Sequence, residues 1–410
     1  MIVEVQLTAE SYGGDCIARM PDGRALFVPF GISGEKVRVE ITEEKKNYCR
    51  GKIVKVVEPS PARMVPRCPH FAECGGCHYQ HLDYASQLAL KQRIVLQQLE
   101  RIGKLVSPPV APIVPAPAEW NYRNTVQFSL SDIGKMSYQK ANSNSLVEIR
   151  ECHLPLSPIN QLWPQLEIDP QAGVERVSIR CGENDDLMLG LEGTSPAAPE
   201  FEVDFPLSVV YIHPDGTVLL SGEDYSMFNI LNKSFRVSAD AFFQVNTAMA
   251  EKMVSHVMTL LGDRQFEHVV DAYCGAGLFS AFLAPRCKQL TGIELAESAC
   301  NDYAANLEEF DHVSLYMGKV EQVLPVLEIK PDLVLLDPPR AGLDPKALEG
   351  LLKAAPQEII YISCDPATLA RDLQRLTAEG YALKNVTPFD LFPQTFHVET
   401  ITMMSRVLKT

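Results

Sequence analysis

The chain has 410 residues, of which 46% are hydrophobic and 22% charged, and its net charge at pH 7 is −15. This length suggests two or three domains with substantial cores. No run approaches the roughly 18 apolar residues of a membrane-spanning helix, and the N-terminus has no long apolar stretch typical of signal peptides. We therefore expect a soluble, cytoplasmic protein with no membrane partner. In such a protein the eleven cysteines indicate metal binding, catalysis or burial rather than a disulfide framework.

The charge is unevenly distributed along the chain. The segment 1–130 carries 16 Lys and Arg against 13 Asp and Glu, whereas the segment 131–410 carries 21 against 39. The strongly acidic second segment argues against non-specific binding of nucleic acid over the whole surface. If the chain binds a polyanion, the N-terminal third is the favoured contact, although solvated surface charge is the ordinary alternative.

The N-terminal segment 1–58 alternates between short apolar runs and turn signals such as "YGGD" and "PDGR". Five short strands at about ten-residue spacing predict a small β-barrel. Five basic residues and one tyrosine lie in "TEEKKNYCRGKIVKVV", which favours RNA as the partner, against a merely solvated pair of strands. These basic residues are Lys45, Lys46, Arg50, Lys52 and Lys55.

The middle of the chain is a less regular region. Apolar residues at helical spacing predict a helix over residues 83–102, which we expect to pack on the C-terminal core. A Pro-rich stretch follows, "VSPPVAPIVPAPAEW", and residues 121–235 are typical of a β-rich region. From about residue 237, strands and helices alternate, which indicates a parallel, doubly wound sheet closed by two successive strands. The expected domains are thus residues 1–58, 59–236 and 237–410.

The segment "DAYCGAGLF" leads from the first strand of this sheet into a helix. Gly275 and Gly277 would allow a ligand to approach the backbone closely. About 20 residues on, Glu294 ends the second strand, where a carboxylate suits a ribose diol. The D-x-x-x-G-x-G spacing favours S-adenosylmethionine over a dinucleotide, the alternative being a tight turn of another α/β fold. Residues 237–410 resemble the class I S-adenosylmethionine-dependent methyltransferases, which have a Rossmann-like core. Lys319 stands where many of these carry Asp or Asn toward the adenine.

Three further residues follow or begin strands of this sheet. Asp337 lies in "LLDPPRAGL" and Cys364 in "YISCDPATLARDL", one residue before an expected helix N-terminus, where a thiol is biased toward thiolate. Such a cysteine suits a nucleophile, the alternative being a small buried hydrophobe. Glu399 begins the last strand among apolar residues that could raise its pKa. A methyltransferase that acts on uracil C5 needs both groups. Thiolate addition at C6 makes C5 a carbon nucleophile, and a base must then remove the C5 proton.

The segments "SADAFFQVN", "DAYCGAGLF", "LDPPRAGL", "ISCDPATLARDL" and "HVET" together closely resemble the RNA 5-methyluridine methyltransferase family. The resemblance implies Cys364 as the nucleophile and Glu399 as the general base, with Arg340 near a phosphate or the target base. It also implies contacts to the cofactor region from Gln244, Tyr273, Glu294 and Asp337. The N-terminal barrel is similar to the TRAM domain that often precedes this core, an OB-like barrel that suits RNA.

Three cysteines are close together in "CPHFAECGGC", and a fourth occurs in "RECHLPL". They are Cys68, Cys74, Cys77 and Cys152. Four thiolates suit tetrahedral zinc or an iron–sulfur cluster, and the spacing does not separate the two. Reduced buried thiols are the metal-free alternative. The resemblance implies a [4Fe–4S] cluster, because similar enzymes carry one on C-x5-C-G-G-C plus a later cysteine.

These observations predict an enzyme that methylates C5 of uridine in structured RNA. We expect large-subunit ribosomal RNA as the target, with a T-loop uridine of tRNA as the alternative, and a monomeric protein. A non-catalytic protein that binds RNA or senses its cluster is the rival from another class, which an intact Cys364 and Glu399 disfavour. A DNA cytosine-C5 methyltransferase would carry its cysteine in a Pro-Cys loop, whereas here Cys364 follows Ser363.

Overall fold

The computed structural model describes residues 1–141, 143–203 and 206–407. Three main sheets and one separate hairpin account for the strands in these ranges. Within the same ranges, no helix combines the length and the apolar character needed to cross a membrane.

The first sheet contains six strands. They are β1 (Ile2–Gln6), β2 (Ala9–Glu10), β3 (Asp15–Arg19), β4 (Ala25–Pro29), β5 (Lys36–Glu44) and β6 (Tyr48–Glu58), in the order β1-β5-β6-β4-β3-β2. Alternate residues such as Val5, Val28 and Val37 bury their side chains in one apolar core. The barrel expected from the alternation is present, with β2 as an additional short strand.

Helix α1 (Tyr84–Arg101) follows the cysteine-rich segment and packs on the third sheet. Its N-terminus is capped by Asp83, whose carboxylate accepts a hydrogen bond from the Ser86 N–H at 2.8 Å. Val95 and Leu99 are fully buried in a cluster formed with residues of the third sheet. The Pro-rich stretch after the helix then runs parallel to a late strand of that sheet, since Val110 pairs with Val386.

The second sheet forms the middle of the molecule. Its strands are β7 (Thr125–Leu130), β8 (Met136–Gln139), β9 (Leu146–Glu148), β10 (Val174–Cys181), β11 (Leu187–Gly193), β12 (Ser208–His213) and β13 (Gly216–Ser221), in the order β13-β12-β11-β10-β7-β8-β9. Neighbouring strands are antiparallel except β11 and β12. Helix α2 (Ser157–Leu162) covers its core.

A hairpin of β14 (Tyr225–Ile230) and β15 (Lys233–Ser238) connects the second sheet to the third. Phe228 and Phe235 of this hairpin lie in the same core as the third sheet. The hairpin, most of which precedes the expected boundary at residue 237, therefore packs with the third sheet.

The third sheet has seven strands with helices on both faces. The strands are β16 (Phe266–Ala272), β17 (Cys287–Glu294), β18 (Val313–Met317), β19 (Leu333–Leu336), β20 (Glu358–Ser363), β21 (Tyr381–Phe389) and β22 (Glu399–Arg406), in the order β18-β17-β16-β19-β20-β22-β21. The helices are α3 (Thr247–Leu261), α4 (Ser280–Leu283), α5 (Glu297–Asn306), α6 (Val320–Val323), α7 (Pro345–Ala354) and α8 (Pro366–Ala378). Short 3₁₀ turns cover Trp163–Gln165, Glu183–Asp185, Ala284–Arg286 and Leu324–Val326.

Successive residues of the central strands contribute to opposite faces of the third sheet. Val269 and Leu333 pack in the cluster that contains α3, α4 and α5. Val270 and Val334 pack in the cluster that contains α1, α7 and α8. A parallel sheet buried on both faces explains why these strands read as continuous apolar runs in the sequence.

Candidate active site

The ends of five strands of the third sheet meet at one edge and carry most of the expected site residues. Tyr273 follows β16, Glu294 ends β17, Asp337 follows β19 and Cys364 follows β20. Strand β22 runs in the opposite direction, so that its first residue, Glu399, lies at the same edge. In doubly wound sheets, ligands bind outside this edge.

Cys364 and Glu399 are neighbours across the β20–β22 ladder. Ser363 pairs with Thr400 in antiparallel register, so the residue after β20 lies opposite the first residue of β22. Directly opposed side chains in such a ladder have Cβ atoms about 4.5–5.5 Å apart. A thiol and a carboxyl group at this spacing can act on the same small ring.

Two carboxyl groups at this edge, those of Glu399 and Asp337, have raised pKa values. Burial raises the pKa of Glu399 to about 8, and nearby Asp337 acts in the same direction, while Arg340 opposes them. Burial also raises the pKa of Asp337 to about 7, with a smaller contribution from Asp271. The expectation that apolar surroundings raise the pKa of Glu399 is confirmed, and such a carboxylate is a stronger base than an exposed one.

The thiol of Cys364 differs from the expectation. Burial, together with the carboxylates of Glu399 and Asp337, raises its pKa to about 12. The N-terminus of α8 does not counter this, because the carboxylate of Asp365 already accepts hydrogen bonds from two of its amides at 2.9 Å. The expected bias toward thiolate is therefore wrong for the ligand-free protein, whose thiol is protonated at neutral pH.

The loop after β16 leaves room for a ligand. Tyr273, Gly275 and Gly277 have φ of 65°, 52° and 87°. A Cβ on Gly277 would lie 2.5 Å from Leu307 Cδ1, whereas a Cβ on Gly275 would meet no atom within 4 Å. Gly277 is thus required for packing against α5, and Gly275 faces open space at the strand ends.

The carboxylate of Glu294 is joined to this loop. It accepts hydrogen bonds from Gly275 N–H at 3.0 Å and from Leu295 N–H at 2.7 Å. The segment after β18 also lies here, since Gly318 N–H donates to the Glu294 carbonyl at 2.7 Å. The next residue is the exposed Lys319, whose ammonium group only donates hydrogen bonds and so cannot accept one from an adenine amino group. An adenine held here needs that acceptor from another residue.

Gln244 lies in the loop between β15 and α3, and two residues of the second sheet region hold that loop. Asn124 Nδ2 donates to the Gln244 carbonyl at 2.9 Å. The guanidinium of buried Arg180 donates to four carbonyls between residues 237 and 241, at 2.8–3.4 Å. Sequence analysis missed both residues. The only available signal was an arginine in the apolar strand "VSIRC", since buried arginine is rare without partners.

Arg340 and Tyr12 complete the surroundings of the two opposed side chains. Arg340 is hydrogen-bonded to His397 Nδ1 at 2.8 Å. The hydroxyl of Tyr12, in a loop of the barrel, donates to Asp365 at 2.7 Å, one residue after Cys364. The barrel therefore contacts the wall of the candidate active site directly.

Cys152 is distant from the other three cysteines in the sequence, but the structure places it near them. All four thiols are free and half-buried, and they line one cleft between the barrel and the second sheet. Burial raises the pKa of Cys74 to about 11 and that of Cys77 to about 12. Gly76 N–H donates to the Cys74 sulfur at 3.4 Å. Metal ligation would require these thiols to lose their protons, and a cation bound in the cleft would favour that loss.

A cationic side chain lines the same cleft as the four thiols. In the part of the chain that the structure describes, no group of three or more Cys, His, Asp or Glu side chains is placed to hold a metal ion. Among the described residues, Arg123 Nε is buried without a hydrogen-bond partner, and its charge lowers the pKa of Cys152 against the larger effect of burial. A half-buried cationic side chain near these thiols suits an anionic group.

Two family models match this chain, one near its N-terminus and one over its C-terminal part. A family model described as tRNA (Uracil-5-)-methyltransferase matches residues 224–320 and 324–407, and a model described as TRAM domain matches residues 2–54. A protein of Synechocystis sp. described as an uncharacterized RNA methyltransferase is 34% identical over 99% of this chain and 96% of its own. One of Streptomyces avermitilis with the same description is 33% identical over 99% of this chain and 98% of its own.

A solved structure is similar over nearly the whole chain. It is the tRNA (uracil-54, C5)-methyltransferase of Pyrococcus abyssi in complex with S-adenosyl-L-homocysteine. The TM-score is 0.73 at 23% identity, covering 98% of this chain and 100% of that one. The likeness confirms the expected α/β methyltransferase fold with its N-terminal barrel.

Alanine at Gly275 should mainly weaken ligand binding, whereas alanine at Gly277 should mainly destabilise the fold. Gly275→Ala should fold, at a cost of about 1–2 kcal/mol for a positive φ, but weaken S-adenosylmethionine binding because its methyl group enters the open space. Gly277→Ala should unfold at a clearly lower temperature, because its methyl group collides with Leu307. Thermal unfolding without ligand and calorimetric titration with S-adenosylmethionine measure the two effects. Equal affinity of Gly275→Ala and wild type would show that the ligand lies elsewhere.

Proposed function

The chain belongs to the tRNA (uracil-5-)-methyltransferase family of RNA methyltransferases, and on this premise we propose that it methylates uridine C5 in large-subunit ribosomal RNA. The observation that carries the proposal is the opposition of Cys364 and Glu399 across β20 and β22, beside the loop of Gly275. A nucleophile and a base on one ring are what C5 methylation of uracil requires. The family membership excludes the non-catalytic alternative.

The proposed chemistry divides into steps by residue. The half-buried Cys364 thiol loses its proton to solvent as its sulfur adds to uracil C6, and the π electron pair of the C5–C6 bond moves toward O4. Bound S-adenosylmethionine would supply the methyl group: C5 would bond to the methyl carbon as the bond from that carbon to the positively charged sulfur breaks, leaving neutral S-adenosylhomocysteine. Glu399 then removes the C5 proton, and the bond between C6 and sulfur breaks. The raised pKa of Glu399 supports this role, because the neutral acid it becomes is stable in its buried position.

The protonated thiol of Cys364 sets a condition on the first step. Its high pKa results from burial and from two carboxyl groups. Arg340 opposes that effect on both Cys364 and Glu399. Positive charge brought by the cofactor's sulfonium would favour the thiolate further. We propose that ligand binding, rather than the helix N-terminus, activates this cysteine.

We assign the cofactor contacts to the same edge. Tyr273, Gly275, Gly277, Glu294, Asp337 and Gln244 are the proposed cofactor-binding residues. The bond from Gly275 N–H to the Glu294 carboxylate supports a ribose contact there. Asp337, half-buried near Cys364, is the proposed contact to both the cofactor and the uracil edge.

RNA is the proposed occupant of the part of the cleft between the barrel, the cysteine segment and the second sheet that the proposed cluster would leave open. This cleft of about 1080 Å³ does not include Cys364 or Glu399, but it extends to Phe396 near them. Aromatic and cationic side chains line it, which suits stacked bases and a phosphate backbone. These side chains are Tyr12, Phe27, Phe30, Phe71, Arg50, Arg123, Lys140 and Arg176.

The barrel's other basic residues are unequally available for phosphate. Lys45 is paired with Glu43 at 3.0 Å and Lys52 with Glu40 at 2.9 Å. Lys46 is exposed and makes no ion pair within the described residues.

We propose residues 1–58 as an RNA-binding unit, residues 59–236 as the cluster-bearing unit and residues 237–410 as the catalytic unit, with β14 and β15 packed on the last.

Mapping of 5-methyluridine tests the substrate. A strain lacking this protein should lose the modification at a uridine of large-subunit ribosomal RNA, and wild-type protein should restore it. Cys364→Ala should not restore it, because the adduct cannot form. Loss confined to a tRNA T-loop would favour the alternative substrate. Unchanged 5-methyluridine in both RNAs would contradict the proposed reaction.

Substitution of the two opposed residues should separate their roles. Cys364→Ala should give neither methylation nor a covalent complex. Glu399→Gln should still add the thiol to C6 and take the methyl group at C5, and it should stall at that methylated adduct because loss of a general base costs roughly 10²–10⁴ in rate. Denaturing gels should then show an RNA–protein adduct with Glu399→Gln. Wild-type turnover by Glu399→Gln would contradict the assignment.

We propose a [4Fe–4S] cluster on Cys68, Cys74, Cys77 and Cys152. Anaerobically purified protein should be brown and contain about four iron and four sulfide per chain. Cys74→Ala should lose the colour, because one of the four ligands is removed. The control is Cys49→Ala, which removes a buried thiol from the barrel core instead. Stoichiometric zinc without sulfide would overturn the assignment.

A further inference from the structure

The segment before Glu399 is held mainly by residues outside the third sheet. We call residues 390–398 the base loop, because they end at the proposed general base. Gln394, in the middle of this loop, is buried and has a φ of 70°. A non-glycine residue in this region is strained by about 1–2 kcal/mol, and such strain persists only where the surroundings over-determine the conformation.

Helix α1 supplies the first constraint on Gln394. Gln87 Nε2 donates to Gln394 Oε1 at 3.0 Å, and Gln394 N–H donates to Gln87 Oε1 at 3.0 Å. Gln87 Nε2 also donates to the Leu82 carbonyl at 3.0 Å. Both glutamine side chains are about 1% exposed. This reciprocal pair fixes the backbone and the side chain of Gln394 together.

The cysteine segment supplies the second constraint. The N–H groups of His78 and Tyr79, directly after Cys77, both donate to the Gln394 carbonyl, at 2.8 and 3.0 Å. The His78 ring also packs against Phe396, with ring centroids 4.5 Å apart. The carbonyl, the N–H and the side chain of Gln394 therefore all bond to residues from the N-terminal quarter of the chain.

A buried ion pair anchors the beginning of the base loop. Lys91 Nζ lies 2.5 Å from Asp390 Oδ1 and donates to the Phe392 carbonyl at 2.9 Å. Neither charged side chain is exposed to solvent. The hydroxyl of Tyr122 donates to the Pro393 carbonyl at 3.0 Å. The loop thus has a fixed start, a fixed strained residue and a fixed end in β22.

We propose that Gln87 is a positioning residue for Glu399, which holds the base loop in its strained conformation and thereby aims the carboxylate at the C5 proton. The inference rests on the proposed function of Glu399. Without Gln87, the backbone of Gln394 relaxes toward negative φ and the chain turns differently just before the base. Cys364 precedes α8 on a different strand and keeps its place.

This arrangement predicts a defect in one step only. Thiol addition at C6 depends on Cys364 and proceeds, whereas removal of the C5 proton depends on the position of Glu399 and slows. Misplacement of a catalytic group by about 1 Å costs on the order of 100-fold in rate. A loss of general stability alone would reduce active protein without changing the ratio of adduct to product.

The test compares two substitutions on the same helix. Gln87→Met removes the bonds to Gln394 with nearly unchanged side-chain volume. The control, Gln92→Met, removes one comparable bond, from Ile113 N–H at 3.1 Å to Gln92 Oε1, and does not touch the base loop. With wild-type RNA substrate, Gln87→Met should lower kcat by about 10- to 100-fold, keep KM for RNA within about twofold and accumulate denaturation-resistant adduct. Gln92→Met should behave as wild type.

A second variant covers the case in which Gln87→Met does not fold. Gln394→Met keeps a non-glycine residue at the positive φ and loses the side-chain bond from Gln87 Nε2 at nearly unchanged volume, so its loop should relax in the same way and also accumulate adduct. No excess of adduct with either variant over Gln92→Met, while Glu399→Gln does accumulate it, would overturn the inference. Absence of adduct with Glu399→Gln itself would instead contradict the proposed function.

Discussion

The antiparallel insertion of β22 between β20 and β21 is the constraint on which the candidate active site depends. The strands from β16 to β20 all run in one direction, and a parallel strand in the place of β22 would begin at the far edge. Because β22 runs against β20, its first residue meets the end of β20. Glu399 and Cys364 therefore become neighbours although helix α8 and strand β21 separate them in the sequence.

Burial at this edge has a chemical consequence. Three carboxyl groups and a thiol lie where water is largely excluded, and burial raises the pKa of Asp271, Asp337, Glu399 and Cys364. In the ligand-free protein, a neutral thiol therefore lies beside carboxyl groups with raised pKa values. A dry site of this kind also strengthens the effect of any charge that a ligand brings. The same burial that weakens the thiol as an acid strengthens Glu399 as a base.

The catalytic unit depends on the rest of the chain. Asn124 and Arg180 hold the loop of Gln244 from the side of the second sheet. Helix α1 and the cysteine segment hold the base loop, and Tyr12 of the barrel reaches Asp365. Through these contacts the cysteine segment supports the conformation of the base loop, and this support requires no redox step. They also explain why α1 is packed on a sheet whose strands come much later in the chain.

The sequence alone determined the fold class and which of the expected site residues meet at one edge of the third sheet. Strand ends in a parallel sheet are adjacent by topology, so alternating β and α patterns were enough to bring Glu294, Asp337 and Cys364 to one edge. Apolar neighbours of Glu399 likewise predicted the direction of its pKa. These inferences succeeded because they depend on local pattern and on the general geometry of doubly wound sheets.

Only the tertiary structure decided the charge state of Cys364 and the supports of both loops. A helix N-terminus predicts a thiolate, but Asp365 occupies the amides, and burial together with two nearby carboxyl groups raises the pKa of the Cys364 thiol. The pairing of Gln87 with Gln394 spans 307 positions, and neither residue lies in a pattern that differs from an ordinary polar one. Burial and long-range hydrogen bonds exist only once the chain has folded, because they depend on which distant segments come to share one interior.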